Sequence, residues 1–308
     1  MLDQVRALFA PALGAAGAVL VDATLGRAGH TRALLADHPG LAVIGIDADQ
    51  AAVDESRRLL GDQASRVRLV RAVYDQLPEI LADAGITAVQ GVLFDLGVSS
   101  PQLDQADRGF SYSQDAPLDM RMDQEASLTA AEVVNTYPAA RLARVLSEYG
   151  EERFARRIAD AVVRERQRAP FTSTSRLADI VRDSIPARAR RTGGNPAKRT
   201  FQALRIEVND ELGSLRRAVP AAIDATAVGG RVVVLSYHSL EDRIVKRAFT
   251  EVVTDRTPPG LPVPLESARP QFRLLTSGAE RPAQAETEVN PRAASARLRA
   301  AERTRAAA

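Results

Sequence analysis

The chain contains no cysteine, which excludes disulfides, thiolate zinc sites, iron–sulfur clusters and any mechanism that needs a cysteine nucleophile. Histidine is nearly as scarce: three residues, at 30, 38 and 238, are spread over 308 positions. That scatter argues against a histidine-rich metal site. No metal is expected, and a carboxylate-bound Mg²⁺ is the one metal chemistry left open. No run approaches the ~18 apolar residues of a membrane span. The first ten residues carry both Asp3 and Arg6, so neither a signal peptide nor a membrane segment is expected, and the location expected is cytoplasmic. Neither sign of charge dominates, with 41 Lys and Arg against 39 Asp and Glu and a formal charge of +2. Local clusters must therefore identify partners. Aromatic residues make up only 4%, so an aromatic in a loop stands out.

With 45% hydrophobic residues, the chain has the balance of a globular protein, and its length suits about two domains at roughly 150 residues each. Four short apolar runs occur in the first hundred residues: Ala18–Asp22, Leu41–Asp47, Arg66–Val73 and Val89–Asp95. Helical spacing separates them at Thr31–Ala36, Gln50–Leu60 and Pro78–Ala84. This alternation predicts an α/β fold with a parallel sheet, its strand ends on one edge. From 104 to 205 no strand is evident, and Ser127–Asn135, Ala139–Tyr149, Glu151–Arg168 and Ser173–Ile185 read as helices. The α/β pattern then resumes with helix Gln202–Ala218, a Gly229-Gly230 turn, strand Arg231–Ser236, helix Ser239–Thr250 and a final strand Phe272–Thr276 behind prolines 258, 259, 262 and 264. The expected architecture is one α/β domain, 1–103 plus 206–308, interrupted by an all-helical domain at 104–205. The alanine- and arginine-rich tail is expected to be partly disordered.

Open parallel sheets bind ligands beyond the carboxyl ends of their strands, where strand order reverses. The exit of the first strand reads Asp22-Ala23-Thr24-Leu25-Gly26-Arg27-Ala28-Gly29-His30. Its small residues admit a ligand to the backbone, and Gly26 and Gly29 can take positive φ. Neither GxGxxG nor a P-loop is present, which weakens the dinucleotide and nucleoside-triphosphate readings. Asp47 ends the second strand, where a carboxylate either accepts both hydroxyls of a ribose or caps the next helix. Tyr74-Asp75 at the third could flank an adenine, and Asp95 ends the fourth. Four such sites resemble the S-adenosyl-L-methionine pocket of a Rossmann-like class I methyltransferase. The acids suit a cationic sulfonium better than a phosphate-bearing cofactor.

Longer stretches carry a more specific resemblance. They are DLGVSSPQLD at 95–104, RGFSY at 108–112, PLDMRMD at 117–123, YGEERFARRI at 149–158, NPAKRTFQALRI at 195–206, GGRVVVLSYHSLEDRIVKR at 229–247 and NPRAASARLRAAER at 290–303. In this order they resemble the ribosomal RNA small subunit methyltransferase H family. The resemblance implies an S-adenosyl-L-methionine-dependent enzyme that methylates N4 of a decoding-centre cytidine in 16S rRNA, within the small ribosomal subunit. It implies cofactor contacts at Ala28, Gly29, His30, Asp47, Tyr74, Asp95 and Gln102, of which Gln102 comes from the resemblance alone. The family typically has glycine at position 28, and the extra methyl is tolerable there with negative φ. The family also starts upstream with a His-x-Pro-Val-Leu stretch, whereas this sequence begins Met1-Leu2-Asp3.

Composition restricts the chemistry independently. C5 methylation of a pyrimidine usually needs a cysteine adduct, so the target is an exocyclic nitrogen, a ring nitrogen or an oxygen. Asp95 is the candidate catalytic residue, beside both amine and methyl. Amino-methyltransferases commonly carry Asp/Asn/Ser-Pro-Pro-aromatic here, and Asp-Leu-Gly-Val-Ser-Ser leaves open whether Asp95 acts on the amine or positions the cofactor. Ser99 and Ser100 either orient substrate or form the turn before Pro101. Phe110, Tyr112 and Tyr237 are candidates to stack on a flipped base, with core packing an equal alternative for Phe110. His238 either titrates near neutral pH or stabilises its loop. Cations cluster at 186–205, including Lys198 and Arg199, and at 291–305, where Arg292, Arg297, Arg299, Arg303 and Arg305 suit phosphate contacts. Arg153–Arg168 reads as a solvated face. An amino-methyltransferase for another RNA or DNA site, and a catalytically silent RNA-binding relative, are the competing readings. A homo-oligomer is left open.

Overall fold

Strands buried in continuous runs, four residues long in β2 and β4, build a sheet covered on both faces. The computed structural model describes residues 1–112, 114–190, 195–257 and 268–306, without the side chains at 100, 101 and 190. The Ser100 side chain, those of Arg190 and Arg191, the Gly193-Gly194 turn and prolines 258, 259, 262 and 264 therefore lie outside the described residues. The chain begins with helix α1 (Leu2–Leu13) and continues through β1 (Val19–Asp22), α2 (Gly29–Asp37), β2 (Ala42–Asp47), α3 (Gln50–Leu60), β3 (Val67–Arg71), α4 (Leu77–Asp83) and β4 (Val89–Asp95). Helices α5 (Ser100–Asp104), α6 (Ala130–Thr136), α7 (Ala139–Gly150), α8 (Ala155–Arg166), α9 (Thr174–Ser184), α10 (Ala187–Arg190) and α11 (Lys198–Asn209) follow. Then come α12 (Glu211–Ala225), β5 (Thr226–Ser236), α13 (Ser239–Val253), β6 (Phe272–Leu274), α14 (Gln284–Val289) and β7 (Arg297–Arg303).

Two compact units result, Met1–Gly97 with Gly213–Ala308, and Val98–Leu212. The units divide at 97 and 212, where the expected boundaries were 103 and 205. Helix α11 stays with the helical unit because it lies against α7: a side chain at Gly150 would meet the Arg199 carbonyl. The chain leaves that unit only after Asp210, which breaks α11 from α12 at φ +45°.

In the first unit the strand order is β3-β2-β1-β4-β5-β7-β6. Pairing is parallel from β3 to β5 and antiparallel for β5–β7 and β6–β7. One face packs Val92, Phe94, Val232 and Val234 against α4, α12 and α13. The other packs Leu93, Val233 and Leu235 against α1 and α2. Gly229 and Gly230 lie inside β5, where φ of +81° at Gly229 accompanies a register shift against β4 instead of a hairpin turn. Helix α1 buries Val5, Phe9 and Leu13, a spacing of four that lays one helical stripe on the sheet.

The tail is the main correction, because 297–303 is a strand between β5 and β6. Its charges hid the alternation, and each is held. Asp242 accepts from Arg297 (3.2 Å) and Arg299 (2.7 Å). Glu302 accepts from Arg231 (2.7 Å) and Arg273 (2.9 Å). Buried Arg303 donates to the Ile223 carbonyl (2.9 Å) and lies 5.0 Å from the Phe272 ring centre.

In the second unit, α6 to α9 and α11 close over Val133, Leu142, Leu146, Ile158, Val181 and Leu204. Helix α6 begins at 130, its N-cap Thr129 accepting from Glu132 N–H (3.1 Å), so the expected start at 127 moves inward. The PLDMRMD stretch is a scaffold: Asn209 bonds Met122 N–H (2.7 Å) and the Met120 carbonyl (2.8 Å). Arg108 donates to the carbonyls of Arg121 and Met122. These bonds bracket Met120, which is buried at φ +64°.

Leu298 is fully buried in β7. Leu298→Ala is expected to cost about 2–5 kcal/mol in denaturant unfolding of the intact chain, where a loose tail would lose almost nothing.

Candidate active site

Strand order reverses between β1 and β4, and the loop leaving β1 is sewn to the strands on both sides. Ala23 N–H donates to the Leu93 carbonyl and Leu25 N–H to the Ile46 carbonyl, both at 2.9 Å. Asp22, buried at the end of β1, accepts from Thr31 Oγ1 (2.6 Å) and Thr24 N–H (3.3 Å). Burial raises its carboxyl above the usual range, against the bond from Thr31. Gly26 takes φ +53°. The second left-handed residue is Ala28, at φ +55°, directly before α2. Gly29 has no positive φ, and a Cβ built there meets nothing within 4 Å. Positive φ therefore holds at Gly26 but not at Gly29, and Ala28, expected at negative φ, carries the conformation that favours glycine.

Asp47 ends β2 and turns one oxygen to this loop and the other to the backbone that follows it. Oδ2 accepts from Gly26 N–H and Oδ1 from Asp49 N–H, each at 2.9 Å. Burial pushes its carboxyl up to about 6 against those two bonds. Capping of α3 falls to Asp49, which accepts from Ala51 N–H (3.1 Å). Asp47 is therefore not the cap, and a carboxylate oxygen has room for a second donor beyond each bond it makes here. Past β3, Tyr74 sets its ring at 87° to Phe94, with centres 5.8 Å apart. Asp75 is taken by Arg217 (2.7 Å).

Asp95, at the end of β4, is gripped from three directions. Its N–H donates to Thr24 Oγ1 (2.6 Å). Its Oδ1 accepts from the Tyr237 hydroxyl (2.8 Å), and its Oδ2 lies 3.3 Å from His30 Nε2. Burial works to lower the His30 pKa, but the hydrogen bond and charge of Asp95 prevail and raise it. Burial and then the Asp95 charge raise that of the Tyr237 phenol. His30 Nδ1 is buried with no partner. An orphaned nitrogen, open space before Gly29 and acceptors on Asp47 and Asp95 fit a cationic, ribose-bearing ligand across these strand ends. His238 is the N-cap of α13: its Nδ1 accepts from Glu241 N–H (3.4 Å), and buried Glu241 accepts from Tyr237 N–H (2.8 Å) and His238 N–H (3.1 Å). The loop-stabilising role is the one the structure gives it, in place of substrate contact.

The remaining candidates lie in the second unit. Ser99 N–H donates to Gln102 Oε1 (3.0 Å), while Gln102 N–H faces Ser99 Oγ (3.5 Å), a reciprocal cap on α5. Phe110 is buried in that unit's core. A ring packed there has no face for a base, so its stacking role is withdrawn. Tyr112 packs edge-on against Phe201, centres 5.7 Å apart. Lys198 and Arg199 are exposed at the start of α11, with Arg199 donating to the Glu151 carbonyl (3.1 Å). Arg205 is bound to Glu211 (2.8 Å). With Arg297, Arg299 and Arg303 spent inside the fold, the 291–305 cluster is not a free cationic surface. Thr24, Thr31 and Glu241 escaped the sequence reading, although the first two stand as isolated hydroxyls in the loop motif and Glu241 sits three residues past His238.

The model of the MraW methylase family matches residues 1–304. Proteins named ribosomal RNA small subunit methyltransferase H from Thermobifida fusca (strain YX) and Parafrankia sp. (strain EAN1pec) are each 62% identical to this chain. The alignments span 305 and 306 residues and cover 99% of this chain, with 92% and 94% of the respective relatives. One from Saccharopolyspora erythraea is 59% identical over 307 residues, covering 100% of this chain and 93% of its own.

Left-handed backbone costs a non-glycine residue about 1–2 kcal/mol, offset in part by the greater chain entropy that glycine loses. Ala28→Gly is therefore expected to raise stability by up to about 1 kcal/mol, read as a higher Tm. A lowered Tm would mean that the αL assignment at 28 is wrong.

Proposed function

Because this chain belongs to the MraW methylase family, we propose that it is an S-adenosyl-L-methionine-dependent methyltransferase of small-subunit rRNA whose target is N4 of a decoding-centre cytidine in 16S rRNA. The observation that carries this reading is Asp95: a carboxylate at the crevice, held by His30 and Tyr237. In a chain without cysteine, the adduct route to C5 is absent, and among the nitrogen and oxygen targets that remain an acceptor carboxylate suits an amine.

Asp47 would accept the ribose hydroxyls, Tyr74 would flank the adenine, and the Ala28–His30 backbone would line the amino-acid end. Bound there, the cofactor supplies a methyl group on a cationic sulfur that departs as a neutral thioether. The difficulty at N4 is that its lone pair is delocalised into the ring. A lone pair of Asp95 accepting an N–H of the amine draws that nitrogen out of conjugation and fixes its direction. Positioning and exclusion of water supply the rest of the acceleration. As the nitrogen gains the methyl, the proton it directs at Asp95 would pass to that carboxylate and from there to water. Lys198 and Arg199, exposed on α11, would meet RNA phosphates.

The test uses small subunits from a strain lacking this modification, incubated with the protein and labelled cofactor and then mapped to the nucleotide. Label is expected on N4 of one cytidine. Label on another atom or another nucleotide would remove the N4 assignment, and absence of label would remove the enzyme reading. Free 16S rRNA run in parallel distinguishes the assembled subunit from the naked RNA as substrate.

A further inference from the structure

We propose that Tyr237 is a positioning residue for methyl transfer: its hydroxyl locks the Asp95 carboxylate in the orientation that receives the target amine. The inference rests on the role given to Asp95 above. It differs from the base-stacking role that the position of Tyr237 in the sequence suggests, because the phenol oxygen is committed to Asp95 Oδ1 at 2.8 Å.

A carboxylate on a short side chain turns easily about its last bond, since that torsion has broad minima. One donor leaves the rotation partly free, whereas donors on both oxygens stop it. Here Tyr237, the residue after β5, donates to Oδ1, and His30 Nε2, from α2, lies 3.3 Å from Oδ2. The two donors reach Asp95 from opposite sides of β4 in the strand order, because β1 and β5 flank it. The donor on Oδ1 is itself immobilised. Buried Glu241 accepts both the Tyr237 and His238 N–H groups and so fixes the peptide that carries the phenol. Gly97, at φ +95°, brings the chain past the ring face, where a Cβ would lie 3.6 Å from the Tyr237 ring. Each oxygen keeps capacity for another donor, and those directions are set by the two bonds already made. Phenylalanine would preserve the packing and lose only the lock.

The experiment compares wild type, Tyr237→Phe, Asp95→Asn and the double variant by single-turnover transfer to unmodified small subunits. It also includes calorimetric affinity for S-adenosyl-L-methionine, KM for subunits and Tm. Wild type must first transfer methyl; if it does not, the reading of the function fails, separately from this inference. Removing a hydrogen bond to a charged group is expected to slow Tyr237→Phe by about 10- to 100-fold. Cofactor affinity and KM are expected to stay near wild type. In the Asp95→Asn background the same change is expected to add no further slowing, because the hydroxyl acts through the carboxylate. That comparison stands even if the single Phe variant folds poorly, since the double variant lacks the half-buried charge as well. An unaltered rate in Tyr237→Phe, a raised KM at unaltered rate, or full additivity with Asp95→Asn would each overturn the proposal. A raised KM would return Tyr237 to substrate contact.

Discussion

The crevice between β1 and β4 exists because the chain adds strands outward on one side of β1 and then returns to its other side. Everything proposed for the site depends on how that crevice is closed behind. Ala23 bonds β4, Leu25 bonds β2, Gly26 bonds Asp47, and Thr24 bonds the Asp95 backbone. The β1 loop thus serves as a seam joining three strand ends. Such over-determination lets it keep Ala28 in a left-handed conformation, which few other surroundings would sustain. The seam also sets the distance between two acids that would otherwise sit on independent loops.

The same constraint explains the pattern of charge. Asp22, Asp47 and Asp95 all stand at or next to strand ends, and the first two are pushed upward by burial. A free protein that leaves carboxylates in this state is poised for a positively charged occupant, which removes the cost of burying them. Several arginines elsewhere are structural. Arg231, Arg273 and Glu302 clamp β5, β6 and β7, while Arg297 and Arg299 fasten β7 to α13 through Asp242. In the second unit, Arg108 and Asn209 hold a loop whose motif is as specific as any in the chain.

The elements legible in the sequence were those with a clean period. Four strands, each ending in or leading to an acid, and the helices between them follow from apolar runs and spacing, and so do Asp47, Tyr74 and Asp95 as strand-end residues. Charged residues obscured the rest. β7 reads as a polar tail because its arginines are neutralised by partners distant in sequence, and Arg303 is buried against a carbonyl from α12. Helix α1 was hidden by Pro11 in its last turn, although Val5, Phe9 and Leu13 carried the stripe. The backbone at 28 and 29 could not be read because the seam, not the residue type, decides φ there. Phe110 and His238 were ambiguous for the same reason: a ring or an imidazole in a motif loop serves packing and capping as readily as substrate, and only three-dimensional neighbours decide.

The proposed function requires acids presented by adjacent strand ends to hold the cationic methyl donor, with Asp47 as the ribose acceptor. Calorimetric titration of S-adenosyl-L-methionine between pH 5 and 8 tests it most directly. Asp47 of the free protein takes up a proton as pH falls through about 6, and the protonated group loses acceptor capacity. Affinity is therefore expected to be full above that pH and to fall below it, approaching about ten-fold per pH unit. Asp47→Ala is expected to weaken binding by about 30-fold or more at pH 8 and to flatten that dependence. A wild-type affinity independent of pH and left unchanged by Asp47→Ala would contradict the account.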